Sequence, residues 1–491
     1  MNDLFLPIRL ISLAFGFMLC GTVDGRAQLP AQEAVAALVG DQSLAGAEWS
    51  ISLIDIERNE LLADYQGQRL LTPASSLKVL TTSTALLVLG PDYRFRTELA
   101  YDGYIDAGGT LQGHLYLKGY GDPTLGSDQY PGVPGVDELL QGMFRALNEA
   151  GIKRIAGGVI GDATYFTGPP APYSWPDRDA GNYYGAGVWA LNIHENLFYL
   201  PFQQAASEGA KPRLLPTRPS VAGLELDNQV TSAGRNSGDN AYIYGRPYEY
   251  RRVVRGTIPA GGGTFTIKGS VPDAPLLAAQ LLTDYLRRHG IGVDQSASTY
   301  VPDPSRDFAR TPLLTLLSPT VQEIVQRANQ KSVNLYCEAL LLAIGKKYRD
   351  EGSRSAGIEA IKAVWSERGL DLSEAKLLDG SGLSWGNRLS GYQLATLLRK
   401  IDRDPTISGI FRESLAVAGR SGTLQDAMRG TLAEGRITAK TGSMKKVRSY
   451  SGFAETRSGQ QLAFSIIVNN YPCSSWQIRR KLEELMAAFC R

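Results

Sequence analysis

The arrangement of three short motifs constrains the fold of this chain more than any other feature. The first is Ser75-Ser76-Leu77-Lys78, the second is Ser332-Val333-Asn334, and the third is Lys440-Thr441-Gly442-Ser443. A Ser-x-x-Lys pattern alone should arise by chance about once or twice in a chain of this length. Three motifs in this order, each in a plausible local setting, form a strong signal. We therefore expect the fold to bring these distant segments into one site.

The residue types predict acyl transfer by a serine that lysine, instead of histidine, activates. Ser75 and Lys78 lie three positions apart on a predicted helix from about Ser75 to Leu89, so their side chains share a face. A lysine can act as a base if its pKa falls, and burial together with a second cation, Lys440, would lower it. The apolar neighbours of Lys78 indicate burial. A solvated helix N-terminus with a surface lysine is the simpler alternative.

The second motif has both a catalytic and a structural interpretation. Ser332 and Asn334 begin a predicted helix, where both residue types are favoured as caps. In the catalytic interpretation, Ser332 shuttles a proton between Lys78 and the leaving amine. Asn334 then holds Lys78 and the substrate amide.

The third motif ends a strand-like run. Lys440 and the hydroxyls of Thr441 and Ser443 would bind a substrate carboxylate, while Gly442 would let the substrate backbone approach closely. The backbone N–H groups of Ser75 and Ser443 would form the oxyanion hole. An ordinary turn at the end of a strand is the alternative.

A competing motif is Gly382-Leu383-Ser384-Trp385-Gly386, which matches the nucleophile elbow of α/β-hydrolases. That fold requires a histidine downstream of the serine, and His114, His194 and His289 all lie upstream. We therefore interpret residues 379–386 as a glycine-rich loop beside the site.

Several other function classes lack support in the sequence. Metal-binding spacings such as His-Glu-x-x-His and Cys-x-x-Cys are missing, as are phosphate-binding and dinucleotide-binding loops, so no metal and no cofactor is predicted. The formal charge is +2 and no basic cluster stands out, so no nucleic-acid partner is predicted.

The length of 491 residues predicts two or three domains. Two amphipathic patterns, Leu139–Ile152 and Gln280–Ile291, each end in Gly-Ile and bracket a strand-rich region, which indicates one inserted unit. The segments outside it predict helices packed on an antiparallel sheet, which is an α+β architecture.

The N-terminal residues predict export. Arg9 precedes the apolar run Leu10–Leu19, and Gly25-Arg26-Ala27 offers a cleavage site, so residues 1–27 are predicted to be a signal peptide. The remaining cysteines are Cys337, Cys473 and Cys490. Pairing of the last two stays open, because an odd count does not indicate a disulfide framework.

Five stretches resemble a known family: TPASSLKVLT around Ser75, KGYGDPTL around Asp122, NQKSVNLYCEALL around Ser332, DGSGLSWGNRLS from Asp379 and AKTGSMKKVRSYSGFAE from Ala439. The chain resembles the low-molecular-mass class C penicillin-binding proteins, the D-alanyl-D-alanine carboxypeptidase/endopeptidases of the penicillin-binding protein 4 type. The resemblance covers essentially the whole mature chain.

The resemblance implies a nested layout. A transpeptidase/β-lactamase-like domain would comprise 28–95 and 306–491, an inserted domain II would comprise 96–170 and 260–305, and an inserted domain III would comprise 171–259. It also implies a bacterial periplasmic or cell-envelope location, peptidoglycan stem peptides as substrate and acylation by β-lactams. Peripheral membrane association and the oligomeric state stay open.

The resemblance implies roles for the motif residues: Ser75 is the nucleophile and Lys78 its base. Ser332, Asn334 and Lys440 complete the constellation. Trp385 departs from relatives that often carry a polar residue there, which affects the rim of the substrate pocket. The balance between carboxypeptidase and cross-link endopeptidase activity stays open.

Two other functions compete with this one. A β-lactamase shares the three motifs but is usually far smaller and deacylates quickly. A catalytically silent cell-wall binding protein could keep the fold. Stable penicillin adducts would exclude the first, and any acylation would exclude the second.

Overall fold

A computed structural model describes residues 28–302 and 309–491. Its α-helices are, in chain order, α1 Gln28–Val39, α2 Lys78–Val88, α3 Val136–Glu149, α4 Asp177–Ala180, α5 Ala274–Arg288, α6 Val321–Lys331, α7 Asn334–Arg349, α8 Arg354–Glu367, α9 Gly391–Asp402, α10 Ser408–Ser414 and α11 Ser475–Phe489. None of these described helices is both long enough and apolar enough to cross a bilayer. The signal peptide predicted at 1–27 lies outside the described residues.

The strands form five sheets in the described part of the chain. They are β1 Glu48–Asp55, β2 Leu61–Tyr65, β3 Arg94–Tyr101, β4 Tyr104–Ile105, β5 Thr110–Gln112, β6 Leu115–Gly119, β7 Arg154–Ile155, β8 Val159–Asp162, β9 Leu197–Gln203, β10 Arg213–Leu214, β11 Glu225–Ala233, β12 Asn240–Tyr244, β13 Arg251–Pro259, β14 Thr264–Ser270, β15 Gly292–Val293, β16 Ser298–Thr299, β17 Thr311–Thr320, β18 Ala416–Val417, β19 Ile437–Met444, β20 Val447–Glu455 and β21 Gln461–Asn469.

The largest sheet carries the site and is antiparallel throughout, in the order β18-β19-β20-β21-β1-β2. Successive side chains of a strand point to opposite faces. On β21, Phe464 and Ile466 join the core under α1 and α11, whereas Ala463 and Ile467 join the core under α2 and α6 to α9. Helices thus cover both faces of this sheet, and the α+β fold predicted from the sequence is confirmed.

The region between α2 and α6 builds the other four sheets around a separate buried cluster. The amphipathic patterns that bracket it form α3 and α5, whose apolar faces contribute to that cluster. Strand β17 pairs with β3, so one sheet takes strands from both ends of the region. This pairing continues past the domain boundary predicted at 306, and the boundaries themselves stay predictions.

One local prediction was wrong. Ser332 ends α6 in a left-handed conformation with φ of 59° instead of beginning the next helix, which starts at Asn334. Helix α6 itself begins only at Val321, because residues up to Thr320 belong to β17. The Lys440 motif follows the predicted strand-like run as part of β19, whose pairing with β20 continues to Met444, so the alternative of a turn does not apply.

Candidate active site

A short helical turn presents Ser75 at the edge of the large sheet. Residues Ala74–Leu77 form a 3₁₀ turn that leads directly into α2 at Lys78. The hydroxyl of Ser449, on β20, donates to the Pro73 carbonyl at 2.6 Å and lies 2.8 Å from the Ser76 hydroxyl. The turn is therefore fastened to the sheet, which leaves Ser75 partly exposed while Ser76 is buried.

The amine of Lys78 contacts the Ser75 hydroxyl. The Nζ donates to Ser75 Oγ at 3.0 Å, to Asn334 Oδ1 at 2.5 Å and to the Ser381 carbonyl at 2.6 Å. Lys78 has no solvent exposure, and burial lowers its pKa from the ordinary value of 10.5. The structure therefore holds a lysine with a lowered pKa within hydrogen-bond distance of a serine, as a general base requires.

A second lysine approaches the site from β19. The Lys440 Nζ donates to Ser332 Oγ at 2.9 Å and to the Thr441 carbonyl at 2.8 Å. Lys440 is also fully buried, and burial together with the positive charge of Lys78 lowers its pKa well below 10.5. Ser332 has a left-handed backbone conformation, which is rare in residues other than glycine. This conformation ends α6, and the Ser332 hydroxyl contacts Lys440.

Strand β19 passes close to the nucleophile at Gly442. A Cβ added there would lie 2.9 Å from the Pro73 carbonyl, 3.0 Å from the Ser75 nitrogen and 2.2 Å from Ser449 Oγ. Glycine is therefore required for the close approach of the two backbones, and not for approach of a substrate alone. The Ser443 side chain next to it is exposed.

The other predicted carboxylate ligand is Thr441. Its hydroxyl donates to Thr423 Oγ1 at 2.9 Å, a residue outside the three motifs. Together, the three motifs form two hydrogen-bonded groups near the partly exposed Ser75: Lys78 joins Ser75 to Asn334, and Lys440 contacts Ser332. The two groups are close enough for the charge of Lys78 to lower the pKa of Lys440. The oxyanion-hole role of the Ser75 and Ser443 N–H groups stays a prediction.

Sequence reasoning missed the residues that support this group. The Asn334 amide donates to the Tyr184 carbonyl at 2.6 Å, and Trp175 donates through Nε1 to Asp379 at 2.8 Å. Both Tyr184 and Trp175 come from the region between α2 and α6. A signal was available in Gly168–Tyr184, because a density of Pro, Gly, Tyr and Asp is typical of long ordered loops.

The loop predicted beside the site lies there. Its Ser381 carbonyl contacts Lys78, and the Ser384 of the rejected nucleophile elbow is fully buried, with its N–H donating to Asp379 at 2.6 Å. Ser384 is therefore not accessible as a nucleophile, which agrees with its rejection.

Known proteins match this architecture over most of its length. A sequence profile of the D-Ala-D-Ala carboxypeptidase 3 (S13) family matches residues 31–489. A D-alanyl-D-alanine carboxypeptidase of Actinomadura is 30% identical over 452 residues, which are 90% of this chain and 81% of that relative. The D-alanyl-D-alanine carboxypeptidase DacB of Haemophilus influenzae is 25% identical over 82% of this chain and 81% of its own length.

Solved structures agree. The crystal structure of penicillin-binding protein 4 (dacB) from Haemophilus influenzae superposes with a TM-score of 0.77 at 25% identity, covering 92% of this chain and 97% of the other. A second structure of that protein, in complex with a β-lactam, gives a TM-score of 0.73 at 23% identity over the same shares of the two chains. The chain belongs to the D-Ala-D-Ala carboxypeptidase 3 (S13) family and is a serine-type D-Ala-D-Ala carboxypeptidase.

Proposed function

We propose that Ser75 is the acylated nucleophile and that Lys78 is its general base. The observation that carries this proposal is the 3.0 Å contact between Lys78 Nζ and Ser75 Oγ, made by a fully buried lysine. Ser75 Oγ attacks the carbonyl between the two terminal D-alanines of a peptidoglycan stem peptide, and Lys78 takes its proton. The C–N bond then breaks, D-alanine leaves with a proton, and water hydrolyses the acyl-enzyme.

The leaving amine receives its proton through the Ser332 hydroxyl. Ser332 Oγ accepts from Lys440 at 2.9 Å, while Asn334 Oδ1 accepts from Lys78 at 2.5 Å. The first contact supports Ser332 as the shuttle to the leaving nitrogen, with Lys440 as its lysine partner in place of the predicted Lys78. The second supports Asn334 as the residue that orients Lys78. The Asn334 amide nitrogen is engaged by the Tyr184 carbonyl, so holding the substrate amide would require exchange of that bond.

Recognition of the terminal carboxylate falls to β19. Lys440, Thr441 and Ser443 lie on the strand whose Gly442 meets the nucleophile turn, so an anion bound there would lie next to Ser75. The N–H groups of Ser75 and Ser443 would stabilise the oxyanion, where the loss of one donor typically costs about 10²–10³ in rate. A bound carboxylate would also raise the lowered pKa of Lys440.

The cellular setting follows from the substrate. We infer that residues 1–27 direct export, and that the enzyme acts in the periplasm or cell envelope, where stem peptides are found. The nested layout, with 28–95 and 306–491 as the catalytic domain and two inserted domains between them, belongs to the same proposal. Peptide cross-links are a second substrate, since their cleavage uses the same acyl-enzyme; digestion of purified cross-linked dimers would test this.

Intact mass after incubation with benzylpenicillin tests the proposal, because a β-lactam is bound in a structure of the Haemophilus influenzae relative. We expect a long-lived adduct of one drug mass on the mature protein and none on Ser75→Ala. An adduct on Ser75→Ala would refute the assignment of the nucleophile. An unmodified protein with hydrolysed drug would indicate a β-lactamase, and an unmodified protein with intact drug would indicate a silent binding protein.

A further inference from the structure

A fully buried carboxylate that the proposed mechanism does not use lies on α7 beneath the loop at 379–386. Glu338 Oε1 accepts hydrogen bonds from the backbone N–H groups of Gly380, at 3.0 Å, and Ser381, at 2.9 Å. The carbonyl of the same Ser381 accepts the hydrogen bond from Lys78 Nζ. One residue of the loop thus separates the Glu338 carboxylate from the proposed base.

A second buried carboxylate, Asp379, folds the rest of this loop around itself. Its Oδ1 accepts from the N–H of Gly382 at 2.9 Å and from the Asn387 amide at 2.8 Å, and its Oδ2 accepts from the N–H of Ser384. Burying a charge is costly unless donors surround it. The loop supplies two of those donors from its own backbone and Asn387 supplies one from its side chain, so the shape of the loop and the buried carboxylate depend on each other.

Both carboxylates also receive a donor associated with the inserted region. Arg354 pairs with Glu338 Oε2 at 3.3 Å while its other nitrogens donate to the carbonyls of Pro169 and Pro170. Trp175, which is fully buried, donates from Nε1 to Asp379 Oδ2 at 2.8 Å. The segment that approaches the site from the insertion therefore contacts the two groups that hold the loop.

We propose that Glu338 and Asp379 are positioning residues for the base: they fix the Ser381 carbonyl against the Lys78 amine and supply the negative charge that balances it, and Trp175 couples this arrangement to the inserted region. The inference rests on the proposed role of Lys78. It gives the region between α2 and α6 a role in positioning the base of the reaction.

Four titratable groups act on the charge of Lys78 or are acted on by it: Glu338 and Cys337 on α7, Asp379 in the loop and Lys440 on β19. Burial and the charge of Asp379 raise the pKa of Glu338 itself, whereas Arg354 lowers it. The two carboxylates raise the pKa of Lys78 and so oppose the effect of burial. Removing one of these negative charges should lower the pKa of Lys78. The rising limb of the acylation profile, where Lys78 loses its proton, should then move to lower pH.

The test measures the second-order rate of benzylpenicillin acylation against pH for the mature protein and for Glu338→Gln. Glutamine keeps an oxygen for the Gly380 and Ser381 N–H groups but removes the charge. We expect the rising limb to move by about one pH unit toward acid, with a lower plateau because the loop is held less well. The control Asp162→Asn neutralises another buried carboxylate that pairs with an arginine, Arg310, and its limb should match that of the parent protein.

An unmoved limb in Glu338→Gln would overturn the inference, because a merely structural residue would change the rate equally at every pH. If the parent protein itself forms no Ser75 adduct, the proposed function fails first, and the two failures are thereby distinguished.

A second pair of variants does not depend on replacing a buried charge. Trp175→Phe keeps a buried ring but removes the N–H donor to Asp379. Trp365→Phe removes a donor of the same kind, whose 2.8 Å bond goes to Thr84 Oγ1, from an equally buried tryptophan. We expect acylation to slow about fivefold in Trp175→Phe, the equivalent of one ordinary hydrogen bond, and to be unchanged in Trp365→Phe. Equal rates in the two variants would contradict the role of Trp175.

Discussion

Lys78 and Lys440 are the same residue type, are buried to the same degree and lie in one site, yet their surroundings differ. Lys78 donates to a serine, an amide and a carbonyl, with Glu338 and Asp379 close enough to raise its pKa. Lys440 donates to one hydroxyl and one carbonyl, and the charge that most affects it is the positive charge of Lys78. Burial lowers the pKa of both, but the two start from different electrostatic environments.

This difference indicates a division of work. The negative charge around Lys78 is built into the protein, so its protonation state is set before the substrate arrives. Among the described residues, Lys78 and Cys337 are the groups whose charges act on the pKa of Lys440, and neither is a carboxylate, so a substrate carboxylate can supply the balancing charge. A buried lysine beside a second cation is thus suited to anion recognition, whereas a buried lysine above carboxylates is suited to reversible proton transfer.

Exchanging each lysine for arginine should separate the roles most sharply. Arginine keeps the charge but does not lose its proton. We expect Lys78→Arg to slow acylation by about 10²–10⁴-fold, as loss of a general base does. Lys440→Arg should retain anion binding and lose about tenfold or less. Acylation kinetics with benzylpenicillin measure both, and equal losses would contradict the division of work.

The proposed anion site at Lys440 also depends on the close approach of β19 to the turn that carries Ser75. Gly442→Ala would place a methyl group 3.0 Å from the Ser75 nitrogen and 2.2 Å from Ser449 Oγ, which displaces the turn. A displacement of this kind should cost about 10²-fold in acylation rate. The control Gly142→Ala lies on α3 with no atom within 4 Å of the new methyl, and should stabilise the helix by about 0.5–1 kcal/mol. An active Gly442→Ala would show that the approach is not required.

Replacing either lysine by methionine tests their surroundings through stability. Lys78→Met removes one of the positive charges that balance Glu338 and Asp379, whereas Lys440→Met removes a cation whose pKa is affected by Lys78 and Cys337 and by no described carboxylate. We expect Lys440→Met to be the more stable variant by about 2 kcal/mol in denaturant unfolding. The reverse order would mean that the carboxylates do not balance Lys78.

The free energy of unfolding measured in this experiment should also depend on pH. Because the pKa of Lys440 is lowered on folding, the unfolded chain binds more protons than the folded one between that lowered value and 10.5. The free energy of unfolding should therefore rise with pH through this window. In Lys440→Met this contribution to the slope should vanish.

The smallest expected effect concerns Ser332, whose φ of 59° disfavours any residue with a Cβ. Ser332→Gly and Ser332→Ala both remove the hydroxyl that accepts from Lys440, so both should lose acylation to the same extent. The glycine variant should nevertheless be more stable than the alanine variant by about 1 kcal/mol. Equal stability would mean that the left-handed conformation relaxes without cost.

The sequence predicted the reacting residues of the site better than the residues that hold them in place. The three motifs carry the reacting groups on local patterns of three or four residues, and such patterns can be recognised without knowledge of the fold. Glu338 and Trp175 have no local pattern, since they matter through contacts with a loop some 40 and 200 positions away in the chain. Asp379 lies in a stretch that the sequence did single out, but its role needed the fold.

Two local conformations, at Ser332–Asn334 and at the Lys440 motif, also could not be decided from the sequence. Ser332 and Asn334 both favour helix caps, so the sequence could not show that one ends a helix and the other begins the next. The third motif resembles a turn because glycine is frequent there, whereas tertiary pairing with β20 keeps it in a strand. In both places long-range contacts decided between two locally acceptable conformations.

The pairing of β1 with β21 has a consequence for the order of events in a cell. Thr72, three residues before the nucleophile, exchanges two backbone-to-amide hydrogen bonds with Asn469, which lies 397 positions later. A ribosome has therefore delivered the nucleophile, the region between α2 and α6, and helices α6 to α10 before the strand that completes the sheet exists. Contacts of such sequence separation form late. If residues 1–27 direct export as proposed, a chain crossing a membrane would thus carry its reactive serine without a complete site, and would gain activity only once the last strands had crossed.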